Sequence, residues 1–204
     1  RASLLSGLRP NADRFKTYHD RVSEQAPNIT TLPAYLKQNG YHTISNGKIY
    51  HHADDDIDAW SEKPVRMRGE HRYFLPKNIA LHKHNQRLDR RTNTRGPSYE
   101  SADAPIEQYP DHIMTDKSIR DLKRLSESGN PFFLAAGFAR PHLPFNAPKQ
   151  FWDMYDEKKI NLADNPFRPQ GCPDVALHNF GDLRHYDGGP PKGKVPDELA
   201  KKLI

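Results

Sequence analysis

Two short stretches of the sequence place basic side chains directly after segments of strand character. Lys48 and His51 follow YHTISNG, and Arg140 and His142 follow PFFLAAGF. Histidine is the commonest side chain for proton transfer near neutral pH, and it also makes anion contacts that depend on its protonation. Lysine and arginine add fixed positive charge. Both stretches therefore suit chemistry on an anionic group.

Each of these stretches is preceded by a helical pattern that ends at a glycine. NITTLPAYLKQNG has apolar residues at helical spacing, a threonine cap and a stop at Gly40. DHIMTDKSIRDLKRLSESGN carries an apolar stripe and stops at Gly129. A helix, a glycine turn and a short strand thus occur twice, which predicts an α/β fold with a parallel sheet. Because active sites of such sheets lie beyond the carboxyl ends of the strands, we expect both basic stretches at one edge of the molecule.

Composition predicts that much of the chain is loop. The 204 residues are enough for one domain with a core, but only 35% are hydrophobic and 18 are proline. From 52 to 110 no sustained periodicity appears, so we interpret this segment as a long irregular excursion with at most short elements. It contains an acidic cluster at 54–56 that we interpret as a solvated loop, not a metal site.

Charge and cysteine content restrict the function only loosely. Lys and Arg total 31 against 26 Asp and Glu, an excess that suits an anionic substrate without demanding one. The single cysteine, Cys172, excludes an internal disulfide framework and any multi-cysteine metal site. No run of apolar residues approaches the length of a membrane span, and no targeting signal appears in the sequence.

A third stretch, RASLLSG at the start of the chain, makes the pattern specific. With GKIYH at 47–51 and FARPHLPF at 138–145, it resembles the sulfatase family of the alkaline-phosphatase superfamily. Arg1 matches the arginine of that family's C-x-P-S-R signature, and ASLLSG matches the remainder of the signature. The lysine motif GK-x-x-H is similar to that of the iduronate-2-sulfatase branch and its bacterial relatives. The likeness covers most of the chain and implies part of an alkaline-phosphatase-like sulfatase domain, with a mostly parallel central sheet and long loops.

The resemblance implies hydrolysis of a sulfate ester by a hydrated formylglycine, helped by residues of this chain. Arg1 would fix the aldehyde hydrate, Lys48 would bridge hydrate and sulfate, and His51 would orient the hydrate or help to eliminate sulfate. His142 would bind sulfate near the leaving oxygen. Arg140 would contact a carboxylate or sulfate of the substrate. A sulfated sugar or a glycosaminoglycan-like polysaccharide is the implied partner, with no nucleic acid and no membrane, and the oligomeric state is left open.

The same resemblance implies that residues 1–204 form a single incomplete catalytic domain. The cysteine that becomes formylglycine would precede Arg1, and Cys172 cannot replace it because its surroundings lack the required arginine spacing. The ligands of the family's metal, usually calcium, would also lie outside these residues. We therefore expect residues 1–204 alone to hydrolyse no sulfate ester. By resemblance the protein would be secreted, periplasmic or lysosomal.

Two other functions remain open from the sequence. Sulfate and phosphate esters share tetrahedral geometry, so a phosphate or phosphonate ester hydrolase of the same superfamily is one alternative. A catalytically inactive polyanion-binding module is the other, because the excursion is rich in basic residues. That excursion could set substrate choice in an active enzyme, or it could be a solubilising loop. Its basic residues are Arg66, Arg68, Arg72, Lys77, Lys83, Arg87, Arg90, Arg91 and Arg95.

Overall fold

The computed structural model describes residues 1–67, 72–88, 95–178 and 181–204. Its helices are α1 (Ala2–Ser6), α2 (Val22–Gln25), α3 (Leu32–Gln38), α4 (Pro76–Asn85), α5 (Pro110–Glu127), α6 (Lys149–Trp152) and α7 (Asp197–Leu203). Its strands are β1 (His42–Gly47), β2 (Tyr99–Ala102), β3 (Phe132–Gly137) and β4 (Phe145–Pro148). The chain forms two compact units, one made of Arg1–Glu70 and Glu107–Ala139, the other of His71–Ile106 and Arg140–Ile204.

The helix and strand predicted on either side of Gly40 are confirmed in the first unit. Thr31 caps α3, because its hydroxyl accepts a hydrogen bond from the Ala34 N–H at 3.4 Å. Gly40 has φ of +84°, a left-handed conformation that glycine adopts without a Cβ penalty, and it ends the helix. The chain then enters β1, whose residues are buried from Thr43 to Gly47.

The predicted parallel pairing is also confirmed. β1 and β3 run parallel in a register that begins with His42 opposite Phe132 and ends with Gly47 opposite Gly137. β3 is only half-buried, although a near-continuous apolar run such as PFFLAAGF is typical of a strand buried on both faces of a parallel sheet. The difference follows from the neighbours in the described part of the chain. β1 also pairs with the segment at Val65, whose carbonyl accepts from the Gly47 N–H at 2.7 Å. Among the described residues, β3 pairs with β1 alone.

Helix α5 begins and ends close to the predicted positions, and Met114 and Leu125 of its apolar stripe are buried, but the rest of the stripe is not. Ile119 and Leu122 of the expected apolar stripe are 47% and 50% exposed. Asp121 is buried instead, and it accepts hydrogen bonds from Asn46 Nδ2 at 2.8 Å and Lys117 Nζ at 2.5 Å. Burial acts to raise the pKa of Asp121, but these donors outweigh it and the pKa is lowered. The Asp121 carboxylate thus connects α5 to the carboxyl end of β1.

The second unit contains structure that the sequence did not indicate. β2 and β4 pair in parallel, with Tyr99 opposite Phe145. The ten-residue helix α4 lies inside the segment predicted to be irregular. Its start is capped by the buried carboxylate of Glu100, which accepts from the backbone N–H groups of Phe74 and Leu75 at 2.7 and 3.1 Å. A cap supplied from a strand that follows the helix leaves no local sequence signal.

The described part of the chain after α6 is mostly irregular. Short helical turns interrupt it, and α7 forms in PDELAKKLI, a segment with a helical pattern. No helix within 1–67, 72–88, 95–178 and 181–204 is long and apolar enough to cross a membrane.

Candidate active site

A close approach of two glycines brings Lys48 out of the sheet. A Cβ built on Gly47 would lie 1.8 Å from the Gly137 carbonyl oxygen, and one on Gly137 would lie 2.3 Å from the Lys48 carbonyl oxygen. Gly47 also has φ of +82°, so the chain turns there. The Lys48 N–H still donates to the Gly137 carbonyl at 2.8 Å. Lys48 is half-buried and directly follows β1, and its backbone is held in one position by these contacts.

Arg1 lies against this turn, although 46 residues separate it from Lys48 in the sequence. The Nη1 of Arg1 donates a hydrogen bond to the Lys48 carbonyl oxygen. Helix α1 is held nearby because buried Leu5 packs in a core with Tyr50 and Trp60. Burial of such apolar side chains contributes about 1.5–3 kcal/mol each. The core thus brings the first and second sequence motifs together.

His51 follows Lys48 by three residues and packs among other rings. Its ring centroid is 5.1 Å from that of Tyr18 and 5.1 Å from that of His52. Its carbonyl accepts from Arg66 Nη1 at 2.6 Å, which fixes the backbone. Partial burial and then the positive charge of Lys48 lower the pKa of His51. The imidazole is therefore mostly neutral at neutral pH and able to accept a proton.

The acidic cluster that follows His51 is a set of structural contacts, which corrects the interpretation of a solvated loop for two of its three members. Only Asp54 fits that interpretation: its side chain is 64% exposed and pairs with Arg21 at 3.1 Å. Buried Asp55 accepts from the Val22 N–H at 3.1 Å and so caps α2. Asp56 accepts from the Tyr50 hydroxyl at 2.7 Å, and burial together with this contact raises the pKa of Tyr50. These contacts clamp the loop that carries His51.

Arg140 and His142 lie in the second unit and contact each other. Arg140 Nη1 donates to the His142 carbonyl at 2.9 Å. The His142 ring has Nδ1 2.7 Å from the Leu143 carbonyl and Nε2 3.5 Å from the Asp182 carboxylate. Asp182 is a contact that sequence reasoning missed, since no motif or spacing marks it.

The structure thus assembles the expected residues in two sets. Arg1, Lys48 and His51 come together in the first unit, and Arg140 and His142 in the second. The convergence of both sets on one pocket stays a prediction. Among the described residues, no group of three or more His, Cys, Asp or Glu side chains could hold a metal ion.

The basic excursion is less available to a polyanion than its composition indicates. Arg66 is used on the His51 carbonyl, and Arg95 pairs with Asp182 at 2.5 Å. Arg87 is exposed, as are Lys77 and Lys83. Three further arginines of this group, at 68, 90 and 91, lie outside the described residues.

Comparison with known proteins decides the family. A family model described as Sulfatase matches residues 1–189, which is most of the chain. The chain belongs to the sulfatase family. The match begins at Arg1 and includes all five residues that the motifs singled out, so the sulfatase fold expected from the sequence is confirmed.

Curated relatives support the same assignment within the sulfatases. The chain is 33% identical to the iduronate 2-sulfatase of Mus musculus and 31% identical to that of Homo sapiens, in each case over all of this chain. It is 28% identical to a sulfatase of Formosa agariphila over 86% of the chain. The chain spans 38% of the length of the two mammalian relatives and 35% of the bacterial one.

The proximity of Lys48 to His51 makes a titration result predictable. We expect the ring of His51 to titrate below the ordinary histidine value of 6.5, because burial and the Lys48 charge both oppose protonation. Lys48→Met removes one of these causes, so it should move the His51 midpoint upward in an NMR titration. Lys63→Met is the matched control, since Lys63 is exposed and does not contribute to the His51 shift. Equal movement in both variants would contradict the predicted contact.

Proposed function

We propose that the full-length protein is a sulfuric ester hydrolase acting on a sulfated sugar or a glycosaminoglycan-like polysaccharide. The observation that carries this proposal is the assembly of Arg1, Lys48 and His51 at the carboxyl end of β1 in a chain of the sulfatase family. Relatives named iduronate 2-sulfatase support a sulfated sugar as the substrate class.

The geometry supports separate tasks for the three residues. The positive charge of Lys48 acts on His51, and a cation at this site would stabilise the negative charge on the peripheral oxygens of a bound sulfuryl group. Arg1 braces the Lys48 backbone through the carbonyl contact and keeps further guanidinium donors for an anion. The neutral His51 is suited to accept and return a proton near neutral pH.

In the second unit, Arg140 and His142 would bind the substrate. Arg140 uses one guanidinium nitrogen on the His142 carbonyl, and its planar fork suits a substrate carboxylate or sulfate. His142 would contact the sulfate near the leaving oxygen. This part of the proposal requires both sets of residues to converge in the complete enzyme.

The cofactors belong to the proposal as well. The family resemblance implies a formylglycine nucleophile and calcium, and it assigns neither to residues 1–204. The described residues do not fit a metal, because the acidic side chains at 54–56 are engaged with Arg21, the start of α2 and Tyr50. No step is therefore assigned to a metal through this part of the chain.

We also propose a secreted, periplasmic or lysosomal location.

The test is ester hydrolysis by the full-length protein. Purified enzyme is given 4-methylumbelliferyl sulfate, the matching phosphate and a sulfated uronic-acid disaccharide, and the release of fluorophore or sulfate is measured. We expect turnover of the sulfates and slower turnover of the phosphate. Faster hydrolysis of the phosphate favours the phosphate-hydrolase alternative. Salt-sensitive binding of heparin with no hydrolysis favours the polyanion-binding module.

A further inference from the structure

The ring of His51 is held by other rings. Its centroid lies 5.1 Å from that of Tyr18 at an interplanar angle of 55°, and 5.1 Å from that of His52 at 79°. Tilted and edge-on ring pairs at such separations attract each other. Packing of this kind occupies no ring nitrogen, and within the described part of the chain neither nitrogen of His51 is hydrogen-bonded. These contacts therefore hold the ring and leave its nitrogens to a reacting group.

Tyr18 is presented to His51 by a turn whose two ends are bonded to each other. The Asp20 carboxylate accepts from the Thr17 N–H at 3.1 Å and from the Thr17 hydroxyl at 2.9 Å. The Asp20 N–H donates in return to the Thr17 carbonyl at 3.3 Å. Short polar side chains fix turns in this way, because they bond to backbone groups a few residues away. The backbone of Tyr18 thus has a defined position that does not depend on its own side chain.

The same turn is connected to the loop that carries His51. Nε2 of His52 lies 3.1 Å from the His19 carbonyl oxygen, and a carbonyl can only accept, so this nitrogen carries a proton. The ring of His19 packs on that of Tyr18, with centroids 3.9 Å apart. The hydrogen bond of His52 therefore fixes the turn relative to the direct neighbour of His51.

We propose that Tyr18 is a positioning residue that, together with His52, holds the His51 imidazole in the orientation needed for proton transfer. The proposal rests on the proposed function, in which His51 accepts and returns a proton. Stability is a poor explanation for the contact, because Tyr18 is 64% exposed and such surface rings contribute little to folding. Proton transfer requires a ring nitrogen within hydrogen-bond reach of the reacting group, so the orientation of the ring matters.

The contact with Tyr18 also contributes to the partial burial of His51. Burial is the largest cause of the lowered pKa of this histidine. The charged and titratable groups that act on its ring are Lys48, His52, Arg66 and His19. A substitution at Tyr18 keeps these four groups, so a change in the His51 midpoint reports the loss of ring packing.

The first experiment needs no activity. The His51 midpoint is measured by NMR in the full-length protein with isotope-labelled histidine, and in Tyr18→Ala, Tyr18→Phe and Tyr35→Ala. Tyr35 is the matched control, since it is 57% exposed in the same unit and does not contribute to the His51 shift. We expect the midpoint to rise toward 6.5 in Tyr18→Ala only, because Tyr18→Phe keeps the ring. An unchanged midpoint in Tyr18→Ala, or equal movement in Tyr18→Phe or Tyr35→Ala, overturns the proposal.

The second experiment measures catalysis by the full-length enzyme with 4-methylumbelliferyl sulfate. We expect Tyr18→Ala to lower kcat by about tenfold with little change in KM, and Tyr18→Phe to retain most of the activity. The acid limb of kcat/KM against pH should move upward with the NMR midpoint, which a purely structural role would not produce. A thermal midpoint that falls in parallel with kcat overturns the proposal. If the unmodified enzyme hydrolyses no sulfate ester, the proposed function fails, and the NMR result still decides whether Tyr18 holds the His51 ring.

Discussion

Gly47→Ala is expected to destabilise the protein by about 3–5 kcal/mol. Two causes add. The φ of +82° disfavours any residue with a Cβ, and that Cβ would lie 1.8 Å from the Gly137 carbonyl oxygen. The backbone of β3 would have to move, and the clash cannot be relieved by a side-chain rotation.

Gly40→Ala separates these two causes. Gly40 has nearly the same φ, +84°, but a Cβ there would meet nothing within 4 Å. We expect it to cost only the backbone strain, about 1–2 kcal/mol. Thermal unfolding of both variants measures the difference, and Gly137→Ala adds a case with the close approach but without positive φ. Equal shifts for the variants at 47 and 40 would show that the close approach is unimportant.

Lys48→Ala is expected to lower kcat/KM of the full-length enzyme for a sulfate ester by about 10²–10³. The reason is that Lys48 offers a fixed cation beside His51, where charge on the sulfuryl oxygens must be stabilised. Lys48 is only half-buried, so its removal should change the thermal midpoint little. Steady-state kinetics on an aryl sulfate provide the measurement.

Two further variants make the Lys48 result specific. Lys63→Ala removes an exposed lysine of the same unit and should leave kcat/KM unchanged. Lys48→Arg keeps the charge but changes its geometry, so we expect a partial loss. If Lys48→Ala retains the activity of the unmodified enzyme, Lys48 is not part of the active site and the assignment based on GKIYH is wrong.

The residues of the site were predictable where the sequence signal spans only a few neighbouring residues. Apart from Arg1, the residues that the motifs singled out lie within a few positions of a strand end, and a turn glycine such as Gly47 has a local signature. The grouping of Arg1 with Lys48 came from family resemblance, and the contact through the Lys48 carbonyl supports it. The fates of the acidic residues at 54–56 were not predictable, because their partners lie at Arg21, at the start of α2 and at Tyr50.

The sequence by itself determined α3, α5, β1, β3 and the parallel order of the two strands. Caps, periodicity and glycine stops act over a few residues, so these elements are encoded locally. Tertiary structure alone decided the burial of Asp121, the cap that Glu100 gives to α4 and the contact of Asp182 with His142. In each case a polar group pairs with a partner that the local sequence pattern does not identify. An unpaired buried polar group is costly, but burial and the direction of a side chain are determined only once the chain has folded.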